Sequence, residues 1–134
     1  MAGYIVDTNV VSALMGGEDV VQERLLRERP NSVYLVQPVV AEVEYGLARM
    51  PNSRRRSALA RRFRLLADLL PRAPWSDEVS QKFGLVKSEL ERLGRRIEDF
   101  DVAIAAHAIA LDAILVTRNI THFKRVPRLT CELW

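Results

Sequence analysis

Apolar positions in this chain fall into short runs and helical stripes that alternate along its length. Tyr4-Ile5-Val6 is an apolar run that ends at Asp7 and predicts a buried strand. Residues 19–29 have helical spacing, with Val20, Val21, Leu25 and Leu26 expected on one side and Pro30-Asn31 as the stop. Residues 33–36 predict a second strand, and 39–50 a helix with Pro38 near its start, where proline is tolerated. Pro51-Asn52-Ser53 breaks that helix. Ser53 is expected to cap the next one, which runs to Leu70 with Leu59, Phe63, Leu66 and Leu70 on one stripe.

Pro71 and Pro74 bracket a short link with room for an edge strand. Ser76 or Asp77 then caps a helix whose Val79, Phe83, Val86, Leu90 and Leu93 stand three and four apart, and Gly94 ends it. Residues 99–111 predict an alanine-rich helix, whose small side chains allow close approach to a sheet. Residues 113–117 predict a strand, and 129–132 a last one. Strands separated by helices imply the α/β class: a central parallel sheet flanked by helices on both faces.

Length makes this one domain, spanning residues 1–134. Apolar residues form 49% of the chain and charged residues 28%, a globular balance. The longest apolar run, 102–111, is broken by His107 and reads as a buried helix, so no membrane association is expected. No charged leader or apolar signal region precedes Asp7, and the single cysteine, Cys131, rules out an intramolecular disulfide. A reducing, cytoplasmic location is the expectation.

The net charge is only +3, but arginine outnumbers lysine and is clustered. Arg54, Arg55 and Arg56 form one group, Arg61, Arg62 and Arg64 a second, Arg95 and Arg96 a third. The planar guanidinium suits phosphate because it can bind two oxygens at once. Such clusters permit a nucleic-acid partner, and equally describe solvated helix faces.

The acids carry more information. Asp7 lies at the carboxyl end of the first strand, Glu42 early in the helix after the second, and Asp101 in the first turn of the alanine-rich helix. In open α/β sheets these places gather at one edge, beside the switch in strand order. Singly, each has an ordinary alternative: Asp7 as a cap of a short following helix, Asp99 or Asp101 as a helix cap, Glu42 as a surface residue. Jointly they are set among Ile5, Val6, Val10, Phe100, Val102 and Ile104, poor places for uncompensated charge. Two carboxylates ~5 Å apart at an effective dielectric of ~20 repel by roughly 3 kcal/mol. A divalent cation turns that repulsion into attraction, and oxygen-only ligands favour Mg²⁺ or Mn²⁺ over zinc.

Four segments sharpen this. They are Tyr4-Ile-Val-Asp-Thr-Asn-Val-Val-Ser12, Ala41-Glu-Val-Glu-Tyr-Gly46, Asp101-Val-Ala-Ile-Ala-Ala-His107, and Leu115-Val-Thr-Arg-Asn119 followed by His122-Phe123 and Val126-Pro127. In this order they resemble the motifs of PIN-domain ribonucleases of the VapC toxin type, and they cover the chain nearly end to end. The resemblance implies a metal-dependent endoribonuclease, the toxin of a type II toxin–antitoxin pair, with Asp7, Glu42 and Asp101 binding Mg²⁺ or Mn²⁺. It implies that Asn9 orients Asp7 by a hydrogen bond and that Thr117 points a hydroxyl into the site, with Thr8 and Ser12 at the same edge. A structured RNA such as a tRNA loop is the expected substrate, and arginines such as Arg54, Arg55, Arg61, Arg95 and Arg96 would grip its phosphates. The implied partners are an antitoxin and a second copy of the chain. The amphipathic helices between Ser53 and Leu93 offer a face for either.

One departure stands out. Many relatives carry a fourth acid near the position of Asn119 or of His122, and neither is acidic here. Asn119 can still offer a carbonyl oxygen, so it stays in the catalytic set. His122 could contact phosphate, although a lone histidine near a loop is more often structural, and Asp99 could substitute for the missing acid. The choice among them stays open, and so does the number of metals. Glu44 and Asp112 are expected at the surface and His107 in the core or just behind the site. The missing acid also keeps alive a catalytically weak PIN-fold module that only binds RNA or a partner. Phosphoacceptor receivers and aspartate-nucleophile phosphatases fit less well. The former want an acidic pair and a late lysine, the latter an aspartate where Asn9 stands.

Overall fold

Neighbouring residues of the first strand are both fully buried: Ile5 and Val6 point to opposite sides of the sheet, yet each has 0% exposure. A strand buried on both faces needs a layer on each side, as the sequence pattern implies. The computed structural model describes residues 3–29 and 31–134. In it, β1 (Tyr4–Val6), β2 (Val33–Tyr34), β3 (Ile114–Val116) and β4 (Cys131–Glu132) form one sheet in the order β2-β1-β3-β4. Each strand pairs in parallel with its neighbour, and Ile5 lies between Tyr34 and Leu115. The link between the two prolines contributes a single bridge, Leu35 to Arg72, rather than a strand.

The helices are α1 (Thr8–Met15), α2 (Asp19–Arg27), α3 (Gln37–Ala48), α4 (Arg54–Leu69), α5 (Asp77–Arg92), α6 (Asp99–Leu111) and the single turn α7 (Ile120–Phe123). Ser53 caps α4 by accepting from the Arg56 amide, and Ser76 caps α5 by accepting from Val79. Helix α6 spans the expected residues, and it is buried from Val102 to Ala108. Alanine at 103, 105, 106 and 108 lets it lie against β1 and β3 and pack along α5. His107 sits in this core at 0% exposure, edge-on to Trp75 at 5.4 Å. Among the described residues no helix is long and apolar enough to cross a membrane.

Several expectations are corrected. In α2 only Val21 is buried, while Val20 and Leu26 are 73% and 76% exposed. At 100° per residue the inward face centres on Val21 and Leu25, which swings Val20 and Leu26 out to either side. Pro30, half of the expected stop after α2, lies outside the described residues. Leu93, expected on the buried stripe of α5, is 53% exposed, because it is the C-cap residue and Gly94, at φ 65°, turns the chain away. Neither Asp99 nor Asp101 caps α6. Glu98 holds the N-cap position without a side-chain bond, and both aspartates lie in the first turn. The short helix α7 has too few residues to show a period and escapes the sequence pattern.

Candidate active site

The strand order reverses between β1 and β3, and the chain leaves both strands there at their carboxyl ends. Asp7 follows β1 and Thr117 follows β3. The two are drawn together as the ladder continues, with the Asp7 amide donating to the Val116 carbonyl at 2.9 Å. Asp7 is 5% exposed, Thr117 0%.

The side chains at this edge form a connected set. Asp7 accepts from the Thr8 amide through Oδ1 at 2.8 Å and from the Thr117 hydroxyl through Oδ2 at 2.7 Å. The first bond also makes Asp7 the cap of α1, so its ordinary role and its place in the site coexist. The Thr117 Oγ1 accepts in turn from the Asn119 amide at 3.0 Å and from Asn9 Nδ2 at 3.5 Å, which saturates a hydroxyl. Glu42, one turn into α3, accepts from the Thr8 hydroxyl at 2.5 Å. Asp101, half-buried in the first turn of α6, meets His122 Nε2 at 2.9 Å.

Asp7, Glu42 and Asp101 thus converge: one carboxylate oxygen from each lies within 4.8 Å of the others. Burial raises the Asp7 pKa. Its bonds to Thr117 and Thr8 oppose that shift, and the Asp101 charge adds to it. Glu42 is raised as well, by burial first, against the Thr8 bond, and further by the charges of Asp101 and Asp7. Three converging carboxylates, two of them with ionisation opposed by burial and neighbouring charge, are matched to a hard cation, which favours the charged forms. The donor set fits: oxygen alone, from three different elements, with no thiol or imidazole among the clustered residues.

The supporting residues differ from expectation in detail. Asn9 was expected to bond Asp7. Instead it touches Thr117 and accepts from the Arg118 amide through Oδ1 at 3.1 Å, so the direct bond to Asp7 comes from Thr117. The Asp99 carboxylate turns to Lys87 Nζ at 3.1 Å and is not part of the acidic cluster, because two residues along a helix rotate the side chain by about 200°. His122, for which a phosphate contact and a structural role were both open, pairs with Asp101. Asn119 begins α7 with an exposed side chain that makes no hydrogen bond among the described residues. Glu44 and Asp112 are exposed. The part of Thr8 in holding Glu42 was not legible beforehand, since the pair is 34 residues apart.

A groove of about 470 Å³ opens beside Glu42, lined by Thr8, Ser12, Glu42, Tyr45, Arg49 and Arg55 among others. Arg54, Arg55 and Arg61 are exposed on α4, and Arg95 and Arg96 are exposed in the turn after α5.

A family model for the PIN domain matches residues 4–129. The chain belongs to the PIN-domain family. Within the PIN-domain family, it is 33% identical over 133 residues to ribonuclease VapC2 of Rickettsia felis, covering 98% of this chain and 97% of that protein. It is 25% identical over 134 residues to the tRNA(fMet)-specific endonuclease VapC of Shigella flexneri, covering 100% and 99%. The fold superposes with a TM-score of 0.88 and 31% identity on the VapBC2 complex of Rickettsia felis bound to a promoter DNA fragment, covering 100% of this chain and 99% of that one. PIN-domain membership and VapC relatives along the whole length agree with the architecture described above.

Proposed function

We propose that this protein is a divalent-metal-dependent endoribonuclease and the toxin of a toxin–antitoxin pair. The observation that carries the proposal is the convergence of Asp7, Glu42 and Asp101 at the strand switch. Relatives named as VapC ribonucleases support the same reading.

Asp7, Glu42 and Asp101 are the residues that would hold Mg²⁺ or Mn²⁺. Such an ion, when bound, neutralises charge on the scissile phosphate and makes hydroxide available near neutral pH. Thr117 fixes one oxygen of Asp7, the Thr8 amide fixes the other, and the Thr8 hydroxyl fixes Glu42. These bonds hold the carboxylates in one geometry before substrate arrives, which lowers the reorganisation cost of the reaction. A carboxylate of this cluster lies where it would take the proton lost by the attacking water. Asn119, whose backbone amide donates to Thr117, is the residue we assign as a neutral carbonyl donor at this edge. Arg54, Arg55 and Arg61 on α4 would grip flanking phosphates, and the groove past Arg49 and Arg55 is the path we assign to the strand.

A structured RNA such as tRNA is the substrate we infer, because folded single-stranded loops expose bases for reading. The Shigella relative carries a tRNA in its name. An antitoxin is the expected protein partner, since solved relatives are toxin–antitoxin complexes. An apolar groove of about 390 Å³ between α1, α2 and α4, lined by Leu14, Leu25, Leu26, Leu65, Leu66 and Leu69, suits an amphipathic segment of that partner. A homodimer in the cytoplasm completes the reading.

The test is incubation of purified protein with pooled tRNA and rRNA in Mg²⁺ or Mn²⁺, beside an EDTA control and the Asp7→Ala variant. Discrete products that need metal and vanish in the variant are the expected result. Metal binding without cleavage would favour the alternative, a binding module, for which the neutral Asn119 and the paired His122 speak.

A further inference from the structure

Arg95 and Arg96, which the family resemblance implies grip phosphate, belong to a larger cluster of charge away from the acids. Arg95, Arg96, Lys124 and Arg125, with Gly94, line a cavity of about 410 Å³. All four cationic residues are exposed, and none forms an ion pair among the described residues. Elsewhere on this surface Arg24, Lys87, Arg118 and Arg128 each find a carboxylate. Four unpaired cations around one concavity repel one another, and a bound anion relieves that repulsion.

The walls are fixed by backbone. Gly94, at φ 65°, reverses the chain after α5, and the Arg95 amide donates to the Leu90 carbonyl at 2.9 Å, which places the two arginines side by side. Arg125 Nη1 donates to the Arg96 carbonyl at 3.2 Å, which joins the segment after α7 to the turn before α6. Both segments lead to the acidic centre. His122, which touches Asp101, is two residues before Lys124, and Asp101 is five residues after Arg96. Five residues of chain span at most roughly 18 Å, so the basic cavity lies within a few nucleotides of the acids.

We propose that this cavity is a phosphate-binding subsite for the RNA strand, engaging backbone phosphates beyond the bond to be cut. The inference rests on the nuclease reading and adds to it the pairing of Lys124 and Arg125 with Arg95 and Arg96. Guanidinium forks and an ammonium around one concavity recognise phosphate oxygens and carry no base preference. The subsite therefore sets affinity and register, leaving sequence choice to other residues.

The test measures binding apart from cleavage. A fluorescein-labelled single-stranded RNA oligonucleotide is titrated in EDTA against the wild type, Lys124→Gln/Arg125→Gln, Arg95→Gln/Lys124→Gln, and the charge-matched control Arg27→Gln/Arg29→Gln on and just after α2. The second variant spares the Arg125 bond to Arg96, so a folding defect in the first does not obscure the outcome. We expect both subsite variants to bind at least about tenfold more weakly at low salt, and the slope of log affinity against log salt to shrink by about 0.7 per lost phosphate contact. The control should stay within about twofold of wild type. Unchanged RNA binding in both subsite variants overturns the proposal, and so does an equal loss in the control. Retained RNA binding with weakened capture of a protein partner assigns the cavity to that partner and also overturns it. Cleavage by the wild type in Mn²⁺, measured separately, tests the nuclease reading: absent cleavage with weakened binding in the subsite variants leaves the phosphate subsite standing.

Discussion

The hydroxyl of Thr117 donates a hydrogen bond to Asp7 Oδ2 at 2.7 Å, tying the residue after β3 to the residue after β1. Because Thr117 also accepts from Asn9 and Asn119, its proton has one destination, and the carboxylate is held in one orientation. Thr117→Val keeps the shape and removes the donor. Mn²⁺ affinity measured by calorimetry should fall roughly 10- to 100-fold, as for other outer residues that orient a metal ligand. Thr117→Ser should restore most of it. Equal affinities for threonine and valine would remove Thr117 from any positioning role.

Asp101→Asn should abolish cleavage without unfolding the protein. The substitution is nearly isosteric and removes one of three crowded charges, a relief of roughly 3 kcal/mol per pair at ~5 Å. In EDTA the melting temperature should hold or rise. A fall of several degrees would mean that the carboxylate is needed for the fold itself, through His122.

Metal and pH should be linked with a defined sign. Asp7 and Glu42 have raised pKa values, so each holds its proton to higher pH in the folded chain than in the unfolded one. Without metal, their contribution favours folding below the ordinary carboxylate range and is lost as pH rises through the raised values. At neutral pH the charged cluster is a cost that a divalent cation removes. The rise in melting temperature on adding Mn²⁺ should therefore be larger at pH 7.5 than at pH 5.5. A metal effect independent of pH would contradict this.

His107 should make the protein acid-sensitive through a different route. Burial pushes its pKa down to about 4, and neither ring nitrogen has a partner among the described residues. A histidine held neutral contributes stability that is present above its unfolded value of ~6.5 and is lost as pH falls toward the folded one, at most roughly 3 kcal/mol. His107→Leu should flatten the melting temperature between pH 6.5 and 4. If the variant and the wild type lose stability in parallel, the acid sensitivity lies elsewhere.

Asn119→Asp places a fourth acid at the start of α7, beside the threonine that orients Asp7. Mn²⁺ binding measured by calorimetry should strengthen. Unchanged or weaker affinity would show that the Asn119 side chain does not reach the cluster.

Much of this was legible in the chain. The period of the apolar residues located α4 and α5, which turn one side inward, and the run of alanine located α6, which is buried from Val102 to Ala108. The three acids stood out because carboxylates beside buried runs need a reason. Other features left no local trace. The Thr8–Glu42 and Thr117–Asp7 bonds join residues 34 and 110 apart, and threonine hydroxyls look alike wherever they occur in a sequence. Asp99 and Asp101 differ only in helical phase: one meets Lys87 and the other joins the cluster. Val20, Leu26 and Leu93 read as core because composition cannot say which neighbours are present to cover them.

The sequence by itself determined the alternation of strands and helices, the place of Asp7 at a strand end and of Glu42 and Asp101 in the early turns of helices, and the kinship with the PIN domain. These depend on local periodicity and on residue types that a strand end or helix start displays in one dimension. Only the tertiary structure decided which hydroxyl holds which carboxylate, that His122 faces Asp101, and that Arg95, Arg96, Lys124 and Arg125 line one cavity. Those facts follow from the strand order β2-β1-β3-β4, which brings distant segments to one edge, and a hydrogen bond a few ångströms long is fixed by that proximity and not by spacing along the chain.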